Sequence, residues 1–206
     1  MTVMSPIERA ACCSAPWRAI TKRLVLPRVV GNIELAGEVL EIGCGAGANA
    51  QLLLERYPKA QLTATDIDPA MIISARRRLA SHGQRVIVTE ADATALPFDD
   101  NRFDAVVSLL MLHHVIAWQE ALAQIARVLR PGGVFLGYDL AQRLTSGVHH
   151  SEQYRHRFLK ANALADGLST AGFNPVEVDV HGLGTVSRFR ATMPVDSPQA
   201  GPEVQP

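Results

Sequence analysis

A short apolar segment that runs into three alternating glycines constrains this chain more than any other feature. Residues 39–42 have the apolar character of a buried strand with one acidic member, and Gly43, Gly45 and Gly47 follow. Glycine adopts backbone angles that other residues avoid, and its missing side chain lets a ligand lie against the main chain. A helix after such a turn presents unpaired N–H groups and a positive dipole end. The pattern predicts strand, tight turn and helix, with a nucleotide-like or carboxylate-bearing ligand at the turn.

The glycine turn alone fits two kinds of cofactor site. Gly43, Gly45 and Ala48 match the G-x-G-x-x-G/A fingerprint of dinucleotide sites. Asp66, about 20 positions further on, suits the ribose of either NAD or S-adenosylmethionine (SAM). Glu41, near the end of the first strand, favours SAM, because its carboxylate can meet an ammonium group and NAD has none.

Further motifs follow in a fixed order along the chain. A third predicted strand leads to Asp92, whose carboxylate can accept a hydrogen bond from an adenine amine. The sequence reads T-D-I-D-P at 65–69, L-P-F-D-D at 96–100, L-H-H at 112–114 and R-V-L-R-P-G-G at 127–133. A single motif can match by chance, whereas a set of motifs in a fixed order is specific. On this set the chain resembles the class I SAM-dependent methyltransferases of the methyltransferase domain 11/25 type, which include the ubiquinone and menaquinone C-methyltransferases.

The resemblance implies a cofactor and its binding residues. SAM would be the cofactor and S-adenosylhomocysteine (SAH) its product. The methionine part would lie on the glycine turn, Asp66 would accept the ribose hydroxyls, and Asp92 would accept the adenine amine beside the backbone N–H of Ala93. The predicted cofactor-binding residues are Glu41, Gly43, Gly45, Gly47, Asn49, Asp66, Ile67, Met71, Asp92, Ala93 and Leu110.

Three of these residues keep two interpretations each. Asn49, on the first turn of the helix after the glycines, either reaches the ligand or faces solvent. Ile67 and Met71 either enclose the adenine or belong to the core, as apolar residues near a helix start usually do.

Candidate acceptor-side residues follow the fourth and fifth predicted strands. A histidine at His113 or His114 either removes a proton from the acceptor, because imidazole titrates near neutrality, or packs against the cofactor pocket. Asp139 joins them as a catalytic candidate by its position. No metal site is expected, because adjacent histidines point apart and no carboxylate set accompanies them. The segment after strand five, part of the acceptor lid in relatives, has residues that either touch substrate or are solvated: His149, His150 and Tyr154.

The order of the predicted elements indicates an α/β fold. Strands at 38–42, 61–66, 85–89, 105–110 and 134–139 alternate with helices at 48–57, from 68 onward and at 118–129, the last ended by Gly132-Gly133. Alternating units of this kind form an open, doubly wound, mostly parallel sheet with helices on both faces. Ligands then bind beyond the carboxyl ends of the strands. The resemblance adds an antiparallel C-terminal edge from 174–180 and 185–192, which completes a seven-stranded, Rossmann-like sheet.

The chain divides into three predicted parts. Residues 1–37 form an N-terminal arm with an amphipathic lid helix over 17–30, which Pro27 ends or kinks. Residues 38–193 form the methyltransferase domain. Residues 194–206, rich in proline and poor in core formers, form a disordered tail.

The composition indicates which binding partners and which cellular compartment to expect. The 20 Lys and Arg residues balance the 20 Asp and Glu residues, so we expect no nucleic-acid partner. No apolar run is long enough to span a bilayer, and no signal peptide or disulfide framework is evident, so we expect a cytoplasmic protein without integral membrane contact. A monomer and a homodimer both remain open.

The function predicted from the sequence is methyl transfer from SAM to a small-molecule acceptor. The acceptor is lipophilic and quinone-like or, alternatively, anionic, and O-, C- and N-methylation all stay open. Two alternatives come from other classes: a non-catalytic SAM-binding protein and an NAD-dependent oxidoreductase.

Overall fold

The computed structural model describes Arg23 and residues 26–141, 159–182 and 184–195. His149, His150, Tyr154, the lid helix before residue 26 and most of the predicted tail lie outside these ranges. Two short 3₁₀ segments, Ala80–Arg85 and Leu112–His114, connect longer elements. The elements are α1 Leu26–Val30, β1 Gly37–Ile42, α2 Ala48–Arg56, β2 Ala60–Asp66, α3 Pro69–Leu79, β3 Val86–Glu90, β4 Phe103–Leu109, α4 Trp118–Val128, β5 Leu129–Leu140, α5 Ala161–Thr170, β6 Val176–His181 and β7 Val186–Thr192.

The strands of the described ranges form one sheet, in the order β3-β2-β1-β4-β5-β7-β6. Strands β1 to β5 are parallel, and β7 runs antiparallel to both β5 and β6. The chain leaves β1 toward β2 on one side and returns to β4 on the other, so the switch point of the topology lies between β1 and β4. Ligands of open α/β sheets bind at such a point. The predicted fold, with its antiparallel C-terminal edge, is confirmed.

Helices cover both faces of this sheet and bury the side chains at its centre. Helices α4 and α5 pack on one face, around Phe135 and Leu122, and α1, α2 and α3 pack on the other, around Leu53 and Val107. Strand β4 is buried along nearly all of its length, as a strand covered on both faces must be. Among the described helices, none has the length and apolar character that crossing a membrane requires.

The predicted end of helix α4 is wrong, whereas the helix before β1 extends to Val30 as predicted. Pro27 lies within α1 and does not end it, and the predicted kink at Pro27 stays a prediction. Helix α4 ends at Val128, since Leu129 already has extended backbone angles. Gly132-Gly133 therefore lie inside β5, where the pairing with β4 shifts register between Phe103 and Ala105.

Candidate active site

One of the three glycines after β1 faces open space, and the other two are packed. All three have positive φ angles, +71° at Gly43, +53° at Gly45 and +77° at Gly47. A Cβ on Gly43 would lie 2.1 Å from Cγ of Met111, and one on Gly47 would lie 3.2 Å from the Cα of Ala75. A Cβ on Gly45 would meet no described atom within 4 Å. Gly43 and Gly47 permit close packing, whereas Gly45 leaves its backbone uncovered by any described residue.

Asp66 ends β2 and connects it to the glycine turn. One carboxylate oxygen accepts the N–H of Gly45 at 2.8 Å, and the other accepts the N–H of Asp68 at 2.9 Å. The residue is only 7% exposed, and burial raises the pKa of Asp66 while these N–H donors oppose the rise. Each carboxylate oxygen can accept more than one hydrogen bond, so this fixed carboxylate can still receive two hydroxyl donors.

Glu41 is buried beside Asp66, and its carboxylate accepts no hydrogen bond from any described residue. The residue is 1% exposed. Burial, and next the charge of Asp66, raise the pKa of Glu41 to about 8. An isolated buried carboxylate is strongly unfavourable unless a cation compensates it. This position is therefore suited to the positive group of a ligand.

Asp92 and the loop after it are held from two directions. One oxygen of Asp92 accepts both the N–H and the hydroxyl of Thr94, at 2.9 and 2.8 Å. Burial acts to raise the pKa of Asp92, but the Thr94 hydrogen bonds outweigh it and the pKa is lowered. The guanidinium of Arg127 donates to the carbonyl oxygens of Leu96 and Phe98, at 2.8 and 2.7 Å. The R-V-L-R motif thus fixes the L-P-F loop that follows Asp92.

Strand β4 ends in a backbone conformation that is uncommon outside glycine. Leu110 has a φ of +58°, and its N–H donates to the carbonyl oxygen of Tyr138 at 2.7 Å. Left-handed angles at a residue with a large side chain are rare and are often found at functional sites. The turn at Leu110 directs the chain into the segment Leu112–His114.

His113 and Asp139 form a buried pair across the ends of β4 and β5. The Nδ1 atom of His113 lies 2.5 Å from one oxygen of Asp139, and the other oxygen accepts the backbone N–H of His113 at 3.3 Å. The two residues are 5% and 2% exposed. The ring of His114 lies against that of His113, with 4.1 Å between the ring centroids. This arrangement fixes the orientation of the His113 imidazole.

Comparison with known proteins agrees with this arrangement of residues. A family model described as a methyltransferase domain matches residues 39–133. A demethylmenaquinone methyltransferase of Clavibacter sepedonicus is 32% identical over 205 aligned residues, which cover 86% of this chain and 80% of that protein. The chain belongs to the class I SAM-dependent methyltransferases. SAM is thus its cofactor.

Two further similarities extend the comparison of this methyltransferase. A demethylmenaquinone methyltransferase of Thermus thermophilus is 40% identical over 95 residues, and the match covers 46% of this chain and 43% of that relative's length. A solved SAM-dependent methyltransferase from Aquifex aeolicus superposes with a TM-score of 0.74 at 18% identity, over 93% of this chain and all of that one. At this identity the structural likeness shows the shared fold.

The residues at the strand ends of this methyltransferase fit SAM. The unpartnered carboxylate of Glu41 matches an ammonium group, and the open backbone at Gly45 leaves room for the methionine part. Asp66 and Asp92 are fixed hydrogen-bond acceptors at the ends of adjacent strands, as a ribose diol and an adenine amine require. NAD lacks the ammonium group that would compensate Glu41.

The other predicted cofactor residues lie around the same end of the sheet. Asn49 is partly exposed on the first turn of α2. Met71 is buried but belongs to neither large apolar cluster, whereas Ala93 is part of the core cluster on the α4 face. Ile67 is half-buried just after β2. Their contacts with the cofactor stay predictions.

Sequence reasoning named His113 and Asp139 separately but missed that they pair. The two residues are 26 positions apart and meet only because β4 and β5 are neighbours. The order of parallel strands could have suggested the contact, since the carboxyl ends of adjacent strands meet. No sequence signal predicted the packing of Met111 on Gly43, because a glycine motif does not indicate which side chain will contact it.

Proposed function

We propose that this methyltransferase transfers the methyl group of SAM to a small, lipophilic acceptor with an acidic hydroxyl, which is either the reacting group itself or the group that activates the reacting ring carbon. The observation that carries the proposal is the buried His113–Asp139 pair beside the cofactor site. Such a pair provides a base of fixed orientation, which an acceptor without a proton to lose would not need.

The cofactor residues bind and orient. When bound, SAM supplies an electrophilic methyl group on a sulfonium, so the chemistry asks little of the protein beyond alignment and exclusion of water. Asp66 and Asp92, each fixed by backbone N–H groups, hold the nucleoside part. Glu41 compensates the ammonium group, and the bare backbone at Gly45 allows close approach.

His113 is the proposed base. With the Nδ1 proton donated to Asp139, the lone pair of the neutral imidazole lies on Nε2. That nitrogen takes the proton from an acceptor hydroxyl as the oxygen gains the methyl group. For transfer to a ring carbon, it takes the proton of the hydroxyl that activates the ring, the carbon gains the methyl group, and the carbon's own proton is then lost to solvent as the ring regains its aromaticity. Asp139 keeps the ring oriented and stabilises the imidazolium that forms, as a carboxylate does in other carboxylate–histidine pairs. A positioned base of this kind contributes about 10²- to 10⁴-fold in rate.

The acceptor class rests on similarity and on charge. Both relatives named above are demethylmenaquinone methyltransferases, so a reduced quinone or another phenol is the acceptor that we propose. The balanced charge of the chain gives no support to a nucleic-acid acceptor. His149, His150 and Tyr154 remain the predicted lid residues. The cytoplasm remains the predicted compartment, and Cys44, a free buried thiol, is compatible with it.

A panel of paired acceptors tests the proposal. The protein is incubated with SAM labelled in its methyl group and with reduced short-chain quinones and phenols, each beside its O-methylated counterpart. Thioethers and tertiary amines complete the panel as acceptors without a proton to lose. We expect label transfer to members with a free hydroxyl and none to their blocked counterparts. Transfer only to thioethers or tertiary amines, or SAH binding without transfer to any acceptor, would contradict the proposal.

A further inference from the structure

Glu41 has a property that cofactor binding alone does not explain. Glu41 lies near the carboxyl end of β1, between β2 and β4, and is 1% exposed. Neither oxygen of its carboxyl group accepts a hydrogen bond from the described residues. Asp66, in contrast, has a backbone N–H on each oxygen. An ionised carboxylate without donors is the unfavourable form in such a place, so the protein without cofactor favours the neutral acid.

We propose that Glu41 is a neutral carboxylic acid in the free protein and releases its proton when SAM or SAH binds, so that cofactor binding and proton release are coupled. This inference rests on the cofactor site of the proposed function and is independent of the acceptor. It assigns Glu41 a second role, as the group that links occupancy of the site to pH.

The groups around Glu41 support a neutral side chain in the free protein. The strands on either side place Ala64 and Val107 in register with it, and neither can donate a side-chain hydrogen bond. The titratable groups that interact with it electrostatically are the Asp66 carboxylate and the Cys44 thiol, both acids. Burial and the Asp66 charge raise the pKa of Glu41 to about 8.

The glycine turn does hold one cation, Arg78. This residue, on α3, donates from Nε to the carbonyl oxygen of Ala46 at 2.7 Å, and the charge that acts on Glu41 is that of Asp66. Glu41 therefore receives no compensating charge from the described part of the chain.

The proton balance of the step is simple. In the free protein Glu41 carries an O–H bond, and in the complex it is a carboxylate that accepts from the ligand's ammonium group. The O–H bond breaks heterolytically, its electron pair stays on the carboxylate and the proton goes to the buffer. Because the pKa is about 8 before binding, the complex forms with proton release at pH 7 and without it well above pH 8. Apparent affinity for SAH should therefore rise up to tenfold per pH unit from pH 6 to 7 and level off above 8.

Calorimetry in buffers of different ionisation enthalpy measures the released protons directly. SAH is titrated at pH 7 in phosphate and in Tris into wild-type protein, Glu41→Gln and the control Glu38→Gln, which changes the same residue type at the other end of β1. We expect release of about one proton for wild type and Glu38→Gln and none for Glu41→Gln. Methylthioadenosine, which shares the nucleoside but lacks the ammonium group, should bind wild type without proton release.

Two results would overturn the inference while leaving the cofactor site intact. One is SAH binding to wild type with the same enthalpy in both buffers, and the other is undiminished release from Glu41→Gln. SAH that fails to bind wild type would instead refute the proposed function, and this inference with it. A measurement on wild type alone covers the case of a variant that does not fold. The infrared band of a protonated carboxyl group should disappear on SAH addition, and its persistence would contradict the proposal.

Discussion

The carboxyl ends of the parallel strands fall into two halves, which we call the cofactor half (β1, β2 and β3) and the acceptor half (β4 and β5). The carboxylates of the two halves make different contacts. At the ends of β1, β2 and β3, Asp66 and Asp92 accept hydrogen bonds from nearby backbone N–H groups, and Glu41 accepts none from the described residues. At the ends of β4 and β5, Asp139 accepts from the imidazole and the backbone of His113. Under the proposed function, the first half presents fixed acceptors to the cofactor, and the carboxylate of the second half orients the base.

In the proposed function this difference separates cofactor binding from methyl transfer. Strand alternation supports the separation, because Glu41 and Asp66 lie on the sheet face covered by α2 and α3, and Asp139 lies on the opposite face with Phe135. Changes in the first half should therefore weaken cofactor binding, and changes in the second half should slow transfer while the cofactor still binds.

The largest expected effect is on turnover and belongs to the acceptor half. His113→Ala should lower kcat by about 10²- to 10⁴-fold, because the base is lost, and change SAH affinity by less than about threefold. Asp139→Asn should lower kcat less, and the double variant should be no worse than His113→Ala, since the pair acts as a unit. Steady-state rates with an acceptor from the panel and SAH titrations measure both quantities. His82→Ala, on the 3₁₀ segment before β3, is the control. Equal loss of SAH affinity and kcat in His113→Ala would place this residue in the cofactor half.

The next effect is on cofactor affinity. Asp66→Ala should weaken SAH binding by about 100-fold, or about 2.7 kcal/mol, because the ribose loses its acceptor and the turn at Gly45 loses its anchor. Asp179→Ala, an equivalent change on β6 at the other edge of the sheet, should leave the affinity unchanged. Isothermal titration of both variants, with far-ultraviolet circular dichroism to check folding, makes the comparison. An unchanged Kd in a folded Asp66→Ala protein would show that the ribose lies elsewhere.

A pair of glycines separates ligand contact from backbone strain. Gly45 and Gly31 have φ angles of +53° and +58°, and a Cβ on either would meet no described atom within 4 Å. Alanine at either position should cost about 1 kcal/mol of stability, because both residues have a positive φ. Only Gly45→Ala should also weaken SAH binding, by about tenfold, since only that surface faces the cofactor. Thermal melts and SAH titrations of the two variants test this, and equal affinities would remove Gly45 from the contact surface.

The smallest effect is on stability and depends on pH. Burial raises the pKa of Glu41 from 4.5 to about 8, so the folded protein binds this proton more tightly than the unfolded chain does. Its contribution to the free energy of unfolding is full below pH 4.5 and is lost as the pH rises toward 8. Without cofactor, Glu41→Gln should therefore melt a few degrees above wild type at pH 8.5, a gain of about 1–2 kcal/mol, and show no gain at pH 5. A difference in Tm that does not change with pH would contradict a neutral Glu41.

The sequence predicted the local geometry at the ends of β1, β2 and β3 better than the side-chain contact at the ends of β4 and β5, for a physical reason. The glycine turn, Asp66 and Asp92 stand in local motifs, each a strand end followed by turn residues, and local chemistry fixes such geometry. The His113–Asp139 contact depends on two strands that are distant in sequence. Gly132-Gly133 were misassigned because a glycine pair fits both the end of a helix and the strand irregularity in which it lies. Which glycine faces the ligand depends on Met111 and Ala75, which no glycine motif records.

The most direct test of the account is a calorimetric titration of the purified protein with SAH and, separately, with NADH. The account predicts binding of SAH with a Kd in the micromolar range, as is common for cofactor sites, and no heat of binding with NADH. It also predicts that Asp66→Ala loses most of the SAH signal. Binding of NADH alone, or SAH binding that survives Asp66→Ala unchanged, would contradict a SAM site built from Glu41, Gly45 and Asp66.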